Sequence, residues 1–257
     1  MSAIARFEHP YLAGHGFVCF AHRGGAAEAP ENSRRAFERA QALGYRFIEI
    51  DVQATADGTL IVFHDDTLDA TTDGEGAISA LPLSEVRQAR IHGTEPILTL
   101  EEALAAFPEM RFNIDIKTDH ALAPTLALMR RMSCFDRVCL ASFSDDRLRA
   151  VRHQLGPEVC SSAGPRDVTK LKFGSWGVPL LRAAAHCAQV PIAEFGITIV
   201  TRRFVRYCNR RGVAVHVWTV NDEAEMRRLI RLGVNGLMTD RPTLLKKVAM
   251  EEGVWVG

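Results

Sequence analysis

Residues 47–66, FIEIDVQATADGTLIVFHDD, decide the fold of this chain. Two apolar runs, FIEIDVQ (47–53) and LIVFH (60–64), are separated only by ATADGT. A parallel crossover takes about a dozen residues, whereas a turn holding Asp57-Gly58 suits an antiparallel hairpin. The second run is therefore read as the return arm of a hairpin that extends the first. It does not begin the next parallel strand.

Outward from this pair, further short apolar runs recur. They are VCFAH (18–22), RFNIDIK (111–117), RVCLASF (137–143), EVCSSAG (158–164), HCAQVP (186–191), VAVHVWTV (213–220) and GLMTD (236–240). Helical patterns with readable ends lie between them. ENSRRAFERAQALG carries Ala36, Phe37, Ala40 and Leu43 on one stripe and stops at Gly44. TLEEALAAF opens on Thr99 with Glu102 three residues on, a capping box. Further helices start at Ser144, Thr201 and Asn221 and stop at Gly156, Gly212 and Gly233, and Pro242 occupies a first-turn position. Strand–helix alternation of this kind implies βαβ units and a parallel sheet. With the return arm set aside, eight strands remain. Eight strands in 257 residues predict an α/β fold, a TIM (β/α)8 barrel forming a single domain over residues 1–257. The competing arrangement is a doubly wound open sheet, and no GxGxxG follows a strand to favour it. Residues 66–99 are read as an extended loop with one short helix, inserted over the barrel mouth, and a gap of that length is often functional.

Bulk properties narrow the classes. Lys plus Arg and Asp plus Glu both number 31, so no global charge draws the chain to nucleic acid or to an anionic membrane. No apolar run reaches the ~18 residues of a membrane span, and the N-terminus lacks the basic flank and apolar core of a signal peptide. The six cysteines fit no CxxC framework and sit in apolar runs, so they are read as buried thiols without disulfides. Together these predict a cytoplasmic protein. Val254, Trp255 and Val256 near the C-terminus look exposed, which leaves packing on the barrel or a homo-oligomer open.

In such a barrel, residues at the C-terminal ends of the strands converge on one mouth, where catalysis sits. Glu49 and Asp51 are spaced by two and share a face. Their nearest neighbours are apolar, and buried charges must be paired or bind a cation. Asp115 adds a third carboxylate on the neighbouring strand. Oxygen-only donors suit one hard divalent cation, Mg2+ or Ca2+, rather than zinc. His22 and His64 close strands beside these acids and are candidates for a general acid and a general base. Arg23 and Lys117 add positive charge suited either to pairing with the acids or to holding a phosphate. His216 sits two residues before Trp218, with both facing the lumen, and Trp218 is a candidate substrate wall. A cation, two imidazoles and two positive side chains describe a phosphodiesterase site.

HRGG, PENS (30–33), EIDVQATADGTLIVFHDDTLDATTDGEG, NIDIK, VWTVN and MTDRP together resemble the glycerophosphodiester phosphodiesterases, in order, over most of the chain. The resemblance implies a TIM barrel with a small insertion near 66–110. It also implies divalent-metal-dependent hydrolysis of a small-molecule glycerophosphodiester to an alcohol and glycerol 3-phosphate. By position, His22 and His64 match the family's acid/base pair, Glu49, Asp51 and Asp115 its metal ligands, and Arg23 and Lys117 its phosphate contacts. Asn32 matches a motif asparagine that supports the loop. Two positions depart from the pattern: Asp115 stands where the family usually has Glu, and Ala70 where it usually has Arg. Two other readings compete. A lysophospholipase-D-like or other phosphodiesterase on the same barrel would be favoured by a long apolar groove in the 66–110 loop. A non-catalytic metal- or phosphate-binding barrel would require a lost histidine or ligand, and none is lost.

Overall fold

A computed structural model describes residues 7–178 and 183–256. Eight parallel strands form the barrel: β1 (Val18–His22), β2 (Phe47–Ala54), β3 (Arg111–Ile116), β4 (Val138–Ala141), β5 (Cys160–Ser161), β6 (Cys187–Val190), β7 (Ala214–Val217) and β8 (Gly236–Thr239). The hydrogen-bonded order runs β5-β4-β3-β2-β1-β8-β7-β6. The seam between β5 and β6 is thin. An isolated parallel bridge, Ser162 to Cys187, spans it, with bonds from Ala163 N to Cys187 O (2.7 Å) and His186 N to Ser161 O (3.0 Å). The barrel is thereby nearly closed.

Leu60–Val62 runs antiparallel to β2, pairing Val52 with Val62, Gln53 with Ile61 and Ala54 with Leu60. It is the return arm expected from the short ATADGT turn, in which Gly58 has a positive φ of 77°.

Helices α1 (Arg34–Ala42), α2 (Leu100–Ala106), α3 (Asp119–Met132), α4 (Asp145–Leu155), α5 (Pro165–Ser175), α6 (Arg202–Asn209), α7 (Glu223–Leu232) and α8 (Pro242–Glu251) follow the strands. Thr99 and Glu102 form the expected capping box, and Ser144 and Thr201 cap their helices. One cap differs from the expectation. α7 is capped by Asp222, because the Asn221 side chain is engaged with Thr239 and Asp240 at the end of β8.

The strand residues that face the helices, such as Ile48, Ile50, Ile114 and Leu140, build the main core. Their neighbours fill the lumen: Phe20, Phe47, Cys139, Cys160, Cys187 and Met238 pack around Tyr11 from the N-terminal segment. The insertion has a core of its own, with Leu68, Ile78, Val86 and Ile91 packed on Ile61 and Phe63 of the return arm. The C-terminal tail packs on its own barrel, where Trp255 stacks edge-on against Tyr45 at 5.2 Å. No helix among the described residues is long and apolar enough to cross a membrane.

Candidate active site

All eight residues singled out in the sequence line one cavity of about 520 Å3 at the barrel mouth: His22, Arg23, Glu49, Asp51, His64, Asp115, Lys117 and Trp218. The size is that of a small-molecule site. The barrel register sets the acids side by side, since Asp51 of β2 is paired in register with Asp115 of β3, and His22 of β1 with Glu49.

The HRGG turn is built for close approach. Arg23 adopts a left-handed φ of 51°. A Cβ on Gly24 would meet Ala36 Cβ at 2.7 Å, and one on Gly25 would meet Pro242 Cγ at 2.7 Å. Glycine is therefore required at both, and the turn is pressed between α1 and α8. His22 Nδ1 lies 2.6 Å from Asp240 Oδ1, while His22 Nε2 faces Glu49 Oε2 at 3.7 Å. Asn221 Nδ2 donates to the other oxygen of Asp240 at 2.7 Å. Burial alone would lower the His22 pKa, but Glu49 and Asp240 outweigh it and raise it.

His64 arrives on the return arm. Its Nδ1 lies 2.6 Å from Asp65 Oδ1. Gln53 of β2 fixes the segment, donating to His64 O (3.3 Å), Asp65 O (3.2 Å) and Asp66 Oδ1 (2.9 Å). Each imidazole is thus backed by a carboxylate that orients the ring and fixes its tautomer.

The acids are held by the two positive side chains. Asp51 pairs with Arg23 Nε at 3.2 Å and Lys117 Nζ at 3.0 Å, and accepts a hydrogen bond from Asn32 Nδ2 at 3.1 Å. Burial would raise its pKa, and these cations reverse the shift and lower it. Lys117 also reaches Asp115 Oδ2 at 3.1 Å. Arg23 pairs in addition with Glu31 at 3.0 Å. Burial and the neighbouring charge of Asp51 push Glu49 up to about 8, and Asp115 is likewise raised by burial. Asn32 supports the loop through Asp51 and through its own N–H to Arg23 O at 2.9 Å.

A divalent cation fits this donor set. The donors are carboxylate oxygens, Asp115 Oδ1 is buried without a hydrogen-bond partner, and Glu49 sits among like charges that raise its pKa. As they stand, the three acids do not converge within 4.8 Å of one another. Lys117 bridges two of them, and the Arg23 N–H donates to Glu49 Oε2 at 3.3 Å.

Sequence reasoning missed the carboxylates behind the histidines. Asp65 was in view as the residue after His64, and Asp240 lies at the end of β8, which neighbours β1 only once the barrel closes. The cavity wall also lies elsewhere than expected. No residue from 65 to 110 lines it, Ala70 included. The wall is largely apolar elsewhere: Phe143 after β4, Val168, Phe173 and Trp176 from α5 and its C-cap, and Phe195 and Ile197 after β6. Phe195 is 95% exposed and Phe143 63%. Trp218 joins this wall, edge-on to Phe143 at 5.6 Å.

An eight-stranded barrel with paired imidazoles, acids and cations at the C-terminal mouth has the layout of a barrel hydrolase for an anionic substrate. The chain belongs to the glycerophosphoryl diester phosphodiesterase family, whose model matches residues 22–244. A Mycobacterium tuberculosis protein named "probable glycerophosphodiester phosphodiesterase 2" is 37% identical over 96% of each chain. A glycerophosphodiester phosphodiesterase of Caldanaerobacter subterraneus subsp. tengcongensis is 31% identical over 92% of this chain and 99% of its own. Among solved structures, an Oleispira antarctica phosphodiesterase in complex with the product sn-glycerol-3-phosphate superimposes with a TM-score of 0.77. It is 24% identical and covers 91% of this chain and 96% of that one.

Proposed function

We propose that the chain hydrolyses glycerophosphodiesters to an alcohol and glycerol 3-phosphate with His22 and His64 as its acid/base pair, in a site that takes one Mg2+ or Ca2+. The observation that carries this reading is the pair of imidazoles in one cavity, each on a carboxylate at 2.6 Å. One histidine removes the proton of the nucleophile that attacks phosphorus, and the other protonates the departing alkoxide, with one water consumed overall. Asp240 and Asp65 keep the two rings oriented, and Asp240 together with Glu49 favours the protonated form of His22. Glu49, Asp51 and Asp115 would hold the cation, which neutralises charge on the phosphodiester when bound. Arg23 and Lys117, now paired with the acids, are the positive groups at hand for the phosphate oxygens.

A second reading, a lysophospholipase-D-like preference for an amphipathic diester, is favoured by the apolar wall of Phe143, Phe173, Trp176 and Phe195. It stands on the β4–β6 side of the mouth rather than on the 66–110 loop.

The test is release of choline, from glycerophosphocholine with glycerol 3-phosphate as the other product and from lysophosphatidylcholine with lysophosphatidate, each with and without Mg2+ or Ca2+. Activity is expected only with a cation, and full turnover in excess EDTA removes the metal from the reading. His22→Ala and His64→Ala should each lose about 100-fold or more while remaining folded. Near wild-type turnover in either overturns the acid/base assignment.

A further inference from the structure

Three cysteines sit below the substrate cavity, one on each of three successive strands. Cys139 of β4, Cys160 of β5 and Cys187 of β6 all point into the lumen, and each is 0% exposed. Their sulfurs lie within 4.8 Å of one another, and Cys139 Sγ is 3.8 Å from Cys187 Sγ. The next strand, β7, adds His216, also 0% exposed and packed against Phe20 of the same lumen at 4.9 Å between ring centroids, with its ring nitrogens outside the 4.8 Å group of sulfurs. None of the four lines the substrate cavity. Asn113 and Gln189, joined by a 2.6 Å hydrogen bond, line its floor from the strand positions that neighbour Cys139 and Cys187.

Two further facts set this layer apart from an ordinary apolar core. Neither ring nitrogen of His216 has a hydrogen-bond partner. A neutral imidazole carries one donor and one acceptor, and burying both unpaired is costly. Space is nevertheless kept for this ring: a Cβ on Gly236 would meet His216 Cδ2 at 3.0 Å and Val18 O at 2.7 Å. The Tyr11 hydroxyl, in the same cluster, is also buried without a partner. The thiols themselves are electrostatically uneven. Hydrogen bonds from Cys139 and Cys160 hold the Cys187 thiol well below its usual range, with the His216 imidazole adding to the effect. Burial pushes the other two up.

We infer that Cys139, Cys160, Cys187 and His216 form a buried site for a thiophilic divalent cation, Zn2+ in the first instance, separate from the carboxylate site at the mouth. The spacing matches. Zn–S bonds of about 2.3 Å in a tetrahedron set the sulfurs about 3.8 Å apart, and Cys139 and Cys187 stand at 3.8 Å. With the His216 ring turned toward the sulfurs, three thiolates and one imidazole form a closed structural set, with no position left for substrate. Loading replaces three thiol protons by one Zn2+, so three protons are released and a single negative charge remains. The unpartnered Tyr11 hydroxyl is the donor nearest to hand for that charge.

The location gives the site a purpose. β5 is only two residues long, and an isolated bridge joins it to β6. A cation held by β4, β5, β6 and β7 clasps the barrel across the seam where its hydrogen bonding is thinnest. Because the layer is sealed, the cation enters during folding rather than by diffusion into the folded barrel.

The test is to refold the purified chain with Co2+, with Zn2+, or with EDTA alone, and then to pass each sample through EDTA. The mouth cation is a hard ion on carboxylates, so EDTA strips it, whereas a thiolate-bound ion inside the lumen is retained. The expected result is one retained metal per chain. The Co2+ form should show sulfur-to-cobalt charge-transfer absorption in the near ultraviolet, and the Zn2+ form a higher urea midpoint than the EDTA form. Cys160→Ser should lose the charge-transfer band and the retained metal, yet keep binding Mg2+ or Ca2+ at the mouth. Should that variant fail to fold, the wild-type cobalt spectrum decides alone. No retained metal and no sulfur charge transfer in the refolded wild type overturns the inference.

Discussion

Asp240→Asn isolates the carboxylate behind His22. The wild-type contact is a 2.6 Å charge-assisted hydrogen bond to Nδ1, and Asn221 holds the second oxygen of Asp240 at 2.7 Å. Asparagine keeps the volume and can still accept from Asn221, so the barrel should fold. What is lost is the negative charge that orients the ring. A hydrogen bond to a charged group is worth about 1.5–3 kcal/mol, which corresponds to roughly a 10- to 150-fold fall in kcat. The pH profile gives an independent readout. Burial lowers the His22 pKa, while Glu49 and Asp240 raise it above its ordinary value. Removing Asp240 takes away one of the two raising charges, so the pKa falls. If His22 acts as base, the acid limb of kcat/KM moves to lower pH, and if it acts as acid, the alkaline limb does. The assay is glycerol 3-phosphate release at saturating divalent cation across pH, with the urea midpoint as a folding control. A turnover within twofold of wild type with both limbs unmoved would refute the coupling of Asp240 to catalysis.

In EDTA, the protein should lose stability as pH rises from about 5 to about 8. Glu49 has a folded pKa of about 8 against an ordinary 4.5, so in that window the folded chain binds more protons than the unfolded one. Glu49→Gln should flatten this slope, read as urea midpoints at the two pH values, and an unchanged slope would remove Glu49 as its source. Phe173→Ser should lower kcat/KM for lysophosphatidylcholine by up to roughly 100-fold, the worth of one buried aromatic side chain. It should leave glycerophosphocholine nearly untouched, and an equal loss on both substrates would mean that the apolar wall does not read the acyl chain.

The legible parts of the fold were those written locally. The capping box at Thr99 and Glu102 and the ATADGT turn each signal within a few residues, and each is present in the structure. The return arm mattered most, because counting it as a barrel strand would have given nine. The cap of α7 was misread by one residue for a non-local reason. Asn221 is a good cap by type, but it is recruited by Asp240 and Thr239 across the closed barrel, and Asp222 takes its place. α3 was passed over although Thr118 caps it and Asp119 follows in its first turn, because Pro124 in its interior reads as a break.

The candidate site divides along the same line. Period-two spacing within one strand paired Glu49 with Asp51 and Asp115 with Lys117, because side chains alternate along a strand. The partners Asp240 and Asp65 needed more. Asp240 reaches His22 across 218 residues, and only the β1–β8 contact that closes the barrel joins them. The apolar wall was sought in the longest gap, 66–110, on the argument that long insertions cover mouths. That segment instead spends its apolar residues on a small core against the return arm. The exposed aromatics came from shorter segments after β4, β5 and β6, where each looked like an isolated surface residue. A single exposed Phe carries no signal in a sequence. Phe143, Phe173 and Phe195 become a surface only when the segments after β4 and β6 meet the last turn of α5, so the polar chemistry of this mouth was readable from its strands and its substrate wall only from its closure.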